Sequence, residues 1–339
     1  MIWPGNKILV ISRYSFVKGV TQEFQDVQDV LRVVHLSDLQ GACFGNDNME
    51  LLGRVSDIKP HLIVFTGDLV DRRMQVNKGF ELGASNSFEA EATKDFEAGV
   101  TKGFEAGITQ GFGATKDFEA AIDFMKNLRT IAPTFFSYGN HELAFSQDII
   151  RALREKLENT GVVVLDGTSH IENVKIRKLP DDKLRDESRR NDDTASRNVE
   201  VLLTAFPERL LMVEGRNRTK KNSDVDQDVL KSAVEEIKQK RSESQCDISI
   251  LLAHEPQFIE EYSSASYDYI FSGHAHGGQI RLPILGGLFS PGQGILPKYT
   301  SGVHNAGNGK MIISRGLGNS SFPIRVFNRP EIIIAEIHI

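Results

Sequence analysis

Apolar residues along the chain fall into two alternating patterns: short, nearly continuous runs, and longer stretches with apolar positions three or four apart. Leu31 to Ser37 (Leu-Arg-Val-Val-His-Leu-Ser) predicts a strand. Asp47, with Glu50 three residues on, predicts a helix N-cap, and Leu51, Leu52, Val55 and Ile58 form an apolar helical stripe that Pro60 ends. Leu62 to Thr66 is a second strand. Phe118, Ile122, Met125 and Leu128 predict another helix, followed by a strand over Thr134 to Ser137, and Ile149, Ile150, Leu153 and Leu157 a third helix. Later strands are expected over Ile248 to Ala253, Tyr267 to Ser272, Met311 to Ser314 and Ile332 to Ala335. Strands that are apolar on both faces, alternating with helices, imply an α/β architecture with covered sheets.

Two stretches break the rhythm. Thr93-Lys-Asp-Phe-Glu-Ala-Gly-Val is followed by Thr101-Lys-Gly-Phe-Glu-Ala-Gly-Ile and shorter copies from Thr109 and Thr115. A period of eight fits no single helix or strand face, so residues 77–114 are expected to be a surface insertion whose last copy merges into the Phe118 helix. Residues 176–228 are rich in Asp, Arg, Asn and Lys and are expected to be a charged, solvated insertion. It leads into a helix with Leu230, Ala233, Val234 and Ile237 on one face. Apart from these, residues 1–339 are taken as one domain.

Composition narrows the function. The chain has 40% hydrophobic and 25% charged residues, enough apolar material for a core. A net charge of -6 argues against a nucleic-acid-binding surface, which needs cations to neutralise phosphates. Cys43 and Cys246 are too few for a disulfide framework or a thiolate zinc site and are expected to be reduced packing residues. No apolar run is long enough for a transmembrane helix, and the interrupted start Met1 to Val10 does not resemble a signal peptide. The expected address is the cytoplasm, with a peripheral position at the membrane as the alternative.

Candidate chemistry sits just after the apolar strands. Ser37-Asp38-Leu39-Gln40, Gly67-Asp68-Leu69-Val70-Asp71, Gly139-Asn140-His141-Glu142, His254-Glu255-Pro256 and Gly273-His274-Ala275-His276 each follow a predicted strand. One such turn means little, because Gly-Asp and Gly-Asn are ordinary turn residues. Five placed alike point to a site at the carboxyl edge of the sheets, where open α/β sheets bind ligands.

This ordered set resembles the calcineurin-like metallophosphoesterases. The later runs His274 to Arg281, Pro297 to Gly302, Ser314 to Gly318 and Phe322 to Arg325 are similar to their bacterial YkuE/YaeI-like phosphodiesterase branch. The resemblance covers residue 31 to the C-terminus outside the two insertions. It implies a sandwich of two mixed β-sheets flanked by helices. It also implies two divalent or trivalent metal ions (Mn, Fe, Zn or Co), with Asp38, Asp68 and His276 on the first, Asp68, Asn140, His254 and His274 on the second, and Asp68 bridging. His141 is implied outside the ligand set, over the substrate phosphate or leaving oxygen, with Asp68 and His141 as the catalytic pair and Asp71 orienting the ligands. The implied reaction is hydrolysis of a phosphate ester by a hydroxide shared between the metals.

The family usually has histidine two residues after the first aspartate; this chain has Gln40. Three readings stay open: Gln40 binds the first metal through its amide oxygen, favouring manganese; it hydrogen-bonds a water or the substrate; or the first site is impaired and the protein only binds a phosphate ligand. His35, His61, His170 and His338 are read as packed or surface residues. His304, Arg281, Arg315 and Arg325 are candidates for substrate contact. The apolar, loop-forming run Leu282 to Pro297 is either a loop over the core or an apolar lip suited to a lipid-like phosphoester. The leading expectation is a phosphodiesterase acting on a small-molecule or lipid-like phosphoester, with a phosphomonoesterase and a non-catalytic binding protein as alternatives.

Overall fold

The computed structural model describes residues 7–18, 29–73, 118–177, 196–212, 225–319 and 325–339. In chain order the elements are β1 (Val10–Val17), β2 (Val30–Leu36), α1 (Met49–Ile58), β3 (Leu62–Thr66), α2 (Phe118–Ile131), β4 (Thr134–Ser137), α3 (Gln147–Asn159) and β5 (Val163–Leu165). Next come β6 (Ser169–Arg177), β7 (Ser196–Ala205), α4 (Gln227–Glu243), β8 (Ile248–Leu252), α5 (Ile259–Ser263) and β9 (Tyr269–Ser272). Two small hairpins follow, β10 (Arg281–Leu282) with β11 (Gly286–Gly287) and β12 (Phe289–Ser290) with β13 (Gly294–Ile295), then β14 (Gly302–Ala306), β15 (Gly309–Ile313) and β16 (Glu331–His338).

Two six-stranded sheets result, ordered β1-β16-β2-β3-β4-β5 and β14-β15-β9-β8-β7-β6. Both are mixed. β2 to β5 are parallel with β16 antiparallel to β2, and β7, β8, β9 and β15 are parallel between antiparallel edges β6 and β14.

The two-sided apolar runs are explained by three cores. Leu31, Val33, Leu62 and Val64 point between the sheets, where they meet Val201, Leu203, Ile248 and Ile250. Their sequence neighbours Val34, Leu36, Ile63 and Phe65 point the other way, under α1, α2 and α3. On the far side Leu251, Ala253 and Ile270 pack under α4 and α5. The period-2 alternation of a strand sends successive side chains to opposite faces, so a strand with a layer on each side needs apolar residues throughout. The layers are helix, sheet, sheet, helix, as expected.

Three differences from expectation have physical causes. α1 begins at Met49 and not after an Asp47 cap: Asn48 takes the cap position at φ 61 with no side-chain cap bond, and its Oδ1 accepts from Phe44 N instead. Within the expected charged insertion 176–228, Ser196–Ala205 is a strand of the second sheet with Val199, Val201 and Leu203 fully buried. The alternating Val-Glu-Val of this strand is hidden by its charged neighbours. The remainder of that stretch over 178–195 and 213–224, and the whole repeat-bearing insertion 77–114, lie outside the described residues. β1 offers no continuous apolar run because, among the described residues, it lies at a sheet edge paired with β16 alone, and it alternates half-buried with exposed positions.

Candidate metal centre

Each chemistry-bearing turn leaves the carboxyl end of a parallel strand: β2, β3 and β4 in one sheet, β8 and β9 in the other. The backbone there is unusual. Asp38, Gln40, Asp68, His274 and His276 have φ of 55, 44, 56, 64 and 45. A left-handed conformation costs a non-glycine residue roughly 1–2 kcal/mol, so five within one cluster represent strain held by the rest of the fold. Two glycines let turns from opposite sheets meet. A Cβ at Gly273 would collide with Ser37 Oγ and Asp38 Oδ2, and one at Gly139 with Asp68 Oδ1 in its own sheet and His254 Cε1 in the other.

The result is a buried cluster with two overlapping ligand groups, Asp38–Asp68–His276 and Asp68–His254–His274; within each, the ligand atoms lie within 4.8 Å of one another. His276 Nε2 is 3.5 Å from Asp38 Oδ1, and His254 Nε2 is 3.5 Å from Asp68 Oδ2. Asn140 Oδ1 joins the second group, 2.8 Å from His274 Nδ1 and 3.2 Å from His254 Nε2. Gln40 Nε2 reaches into the first, 2.9 Å from Asp68 Oδ2 and 3.2 Å from His276 Nε2. Ligands about 2.1 Å from one ion stand roughly 3.0–3.4 Å apart, so these spacings suit metal coordination.

The donor set fits cations on further grounds. His254 Nδ1 donates to Thr66 O at 2.6 Å, which turns Nε2 toward Asp68. Burial lowers this ring's pKa, but Asp68, Asp38 and Glu208 outweigh it and hold it well above the ordinary value. Without a cation, Nε2 therefore carries a proton that a bound cation would displace. Burial and the neighbouring His254 push His274 down to about 3, and burial with the Arg325 guanidinium holds His276 well below its ordinary value. Both rings are therefore neutral, the form that ligates. Burial raises Asp38 to about 6, with Asp68 adding to the rise and His254 opposing it. Burial also pushes Asp68 upward, but His141 and His254 outweigh it and hold Asp68 well below the carboxylate range. Two adjacent buried carboxylates of divided pKa are a place for positive charge. Gln40 Oε1 and His274 Nε2 are buried without hydrogen-bond partners.

Other side chains hold these ligands. Glu142, wholly buried, accepts from Asp68 N at 2.9 Å, Val70 N at 3.0 Å and Gly139 N at 2.9 Å. It thus ties the β3 turn to the β4 turn. Glu208 accepts from His254 N, and burial raises it to about 7 despite that histidine. Arg72 N donates to His141 Nδ1 at 3.2 Å, so the ring proton sits on Nε2, 3.9 Å from Asp68 Oδ2. Asp71 accepts from Arg73 N at 2.9 Å and lies 3.8 Å from His141 Nδ1.

Asp38, Gln40, Asp68, Asn140, His254, His274 and His276, drawn from turns far apart in the chain, thus converge, with His141 and Asp71 beside them. The outer candidates are engaged elsewhere. Arg315 pairs with Glu331 at 2.9 Å, and Arg281 Nη1 donates to Gly277 O at 3.0 Å. His304 lies 3.1 Å from Ser301 O and edge-on to Tyr299. Arg325 is fully buried rather than solvated, donating to Arg315 O at 2.7 Å, with Nη2 3.3 Å from His276 Nδ1. His35 is buried as expected, 2.7 Å from Thr66 Oγ1. Sequence reasoning missed Glu208 and Glu331 and gave Glu142 no role. Glu142 stood in a recognised motif, but nothing in the charged stretch around Glu208 or near Glu331 marks a buried acid.

The chain is similar to several known proteins. The sequence model of the family described as calcineurin-like phosphoesterase matches residues 31–278. YkuE of Bacillus subtilis, an uncharacterized metallophosphoesterase, is 38% identical over 25% of this chain and 29% of its own length. YkoQ of the same organism, also an uncharacterized metallophosphoesterase, is 22% identical over 91% of this chain and 83% of its own. The phosphodiesterase YaeI of Escherichia coli is 24% identical over 67% of this chain and 66% of its own. Among solved structures, TT1561 of Thermus thermophilus aligns at TM-score 0.42 and 8% identity, over 85% of this chain and 90% of that one.

Proposed function

Since the chain belongs to the calcineurin-like phosphoesterase family, we propose that it is a dinuclear phosphodiesterase, hydrolysing a phosphodiester with two cations held by its buried cluster. The observation that carries this reading is the sharing of Asp68 between two ligand groups. Asp38, Gln40, Asp68 and His276 would hold one cation, and Asp68, Asn140, His254 and His274 the other. Cations bound there supply a Lewis acid for a phosphoryl oxygen and acidify water. The diester preference draws support from the name of YaeI.

Gln40 enters as a ligand on its own geometry. With its nitrogen toward Asp68 Oδ2, its oxygen is buried and unpartnered. Amide oxygen and nitrogen are nearly isosteric. Turned about, Oε1 faces the same two atoms, Asp68 Oδ2 and His276 Nε2, and three lone-pair donors then surround one point. An amide oxygen is harder than imidazole, which favours manganese over zinc at this position.

His141 contributes through its proton. Its Nδ1 accepts from Arg72 N, and burial lowers its pKa against the pull of Asp68 and Asp71, so the ring is neutral with hydrogen on Nε2. A neutral imidazole is a poor acid but a good hydrogen-bond donor. Its part is to stabilise charge on a phosphoryl or departing oxygen, not to surrender the proton.

The test is turnover of bis-p-nitrophenyl phosphate against p-nitrophenyl phosphate by protein stripped and reloaded with manganese, with metal counted per chain. His141→Ala should lose about 10²–10³-fold in kcat at unchanged metal content. Asp68→Asn should lose both metal and activity. Faster turnover of the monoester would make the protein a monoesterase, and turnover of neither substrate would leave a phosphate-binding protein.

A further inference from the structure

Large exposed apolar side chains are unevenly placed. Of thirteen among the described residues, six lie in the two hairpins between Leu282 and Leu296: Leu282, Ile284, Leu285, Phe289, Ile295 and Leu296. Ile284 is 106% exposed and Ile295 77%. Phe289 and Ile295 are directly opposed across β12–β13 and share its outer face, while Ser290 beside them is fully buried. The tips are strained as well as wet: Ile284 has φ 71 and Leu296 φ 52. A β-branched residue in left-handed backbone, turned into water, does nothing for folding stability.

The hairpins are built onto the cluster's own turns. Leu288 N donates to Gly278 O at 3.2 Å and to Ile280 O at 2.8 Å, and Gly278 is two residues past His276. Gly292 packs against the amide of Gln257, which donates to Glu255 Oε2, next to His254.

Charge names the partner. In a chain of net charge -6, Tyr269 to Pro330 contains no Asp or Glu but six Lys and Arg, with Arg281 and Lys298 flanking the hairpins. Arg325 is buried and Arg315 pairs with Glu331, so the cations beside the apolar tips are Arg281 and Lys298. Apolar tips flanked by cations match the edge of an anionic bilayer, where apolar side chains enter the acyl boundary and cations meet phosphates. A second copy of the chain would offer cations to cations. We propose that β10–β13 are a docking surface for an anionic lipid membrane, holding the His254 and His276 turns beside the headgroup phosphates. Only the purpose of docking rests on the hydrolase reading; the binding does not.

The experiment is cosedimentation of the metal-loaded protein with phosphatidylcholine vesicles, with and without phosphatidylglycerol. The wild type should bind the anionic vesicles more tightly. The double substitution Ile284→Ser, Leu285→Ser should weaken that binding at least about tenfold, since each methylene withdrawn from the acyl boundary is worth about fourfold. Lys298→Glu should remove the preference for phosphatidylglycerol. Both variants should keep wild-type thermal melting and wild-type turnover of soluble bis-p-nitrophenyl phosphate. Equal binding by wild type and double variant overturns the proposal. So does a wild type that ignores vesicles, or a dimer that the double variant dissociates, because a second copy would then cover the patch. Absence of soluble turnover in every protein would sink the hydrolase reading and leave the vesicle result to decide docking alone.

Discussion

Replacing Glu142 with alanine removes an acceptor that three backbone donors share. Asp68 N and Gly139 N both donate to Oε2 at 2.9 Å, and Val70 N donates to Oε1 at 3.0 Å, all within a wholly buried site. Each buried N–H left without an acceptor costs about 1–3 kcal/mol, so three cost about 3–9 kcal/mol. A domain has only about 5–15 kcal/mol in total. Glu142→Ala should therefore be unfolded or barely folded. Glu142→Gln keeps one oxygen; placed at the Oε2 position it satisfies Asp68 N and Gly139 N and turns an amide nitrogen toward Val70 N. One orphaned donor remains, at a cost of about 1–3 kcal/mol. Urea unfolding followed by circular dichroism, with chelator present, measures both. The folded Gln variant should also bind manganese more weakly by calorimetry, because the disturbed turns carry Asp68 and Asn140. An alanine variant that loses under about 1 kcal/mol, or no more than the glutamine variant, would refute the reasoning, since the acceptor count would then not govern the cost.

Further outcomes follow from the same cluster. Burial, with Asp68 adding to it, raises Glu142 from 4.5 to about 7 in the metal-free protein. A carboxyl raised on folding contributes stability that is full below its unfolded value and lost as pH rises through the folded one. Metal-free wild type should therefore lose stability relative to Glu142→Gln between about pH 4.5 and about pH 7 in a series of urea titrations. Gln40→His should retain zinc better than wild type in equilibrium dialysis; equal occupancy and equal activity would remove any special role for Gln40. Gly139→Ala places a methyl against Asp68 Oδ1 and Asp68 N, so it should lower metal content more than it lowers the melting temperature. A variant with full metal content would show that the two turns can part without loss.

The central strands were legible because burial on both faces demands an unbroken apolar run: Leu62–Thr66 and Thr134–Ser137 are where the sequence puts them. The ligand turns were legible because Asp, Asn and His recur at one place relative to those runs, and a strand's carboxyl end has a direction that the sequence carries. The edges were not. β1 is a strand because β16, at the far end of the chain, lies parallel to it, and β7 because β6 and β8 flank it. Pairings of that kind are set by which surfaces are left to cover, and no local pattern records them.

The same holds for the buried charges around the cluster. Nothing in a list of letters marks Glu142, Glu208 or Arg325 as buried; they become braces only when two sheets bring distant backbone donors and acceptors to within hydrogen-bond reach. The residue types alone thus decided which atoms could hold a cation, because ligand chemistry belongs to the side chain. Which carboxylates share it, which histidine keeps a proton on which nitrogen, and which acid is buried to hold the turns were decided by tertiary packing, because those are properties of distances between residues far apart in the chain.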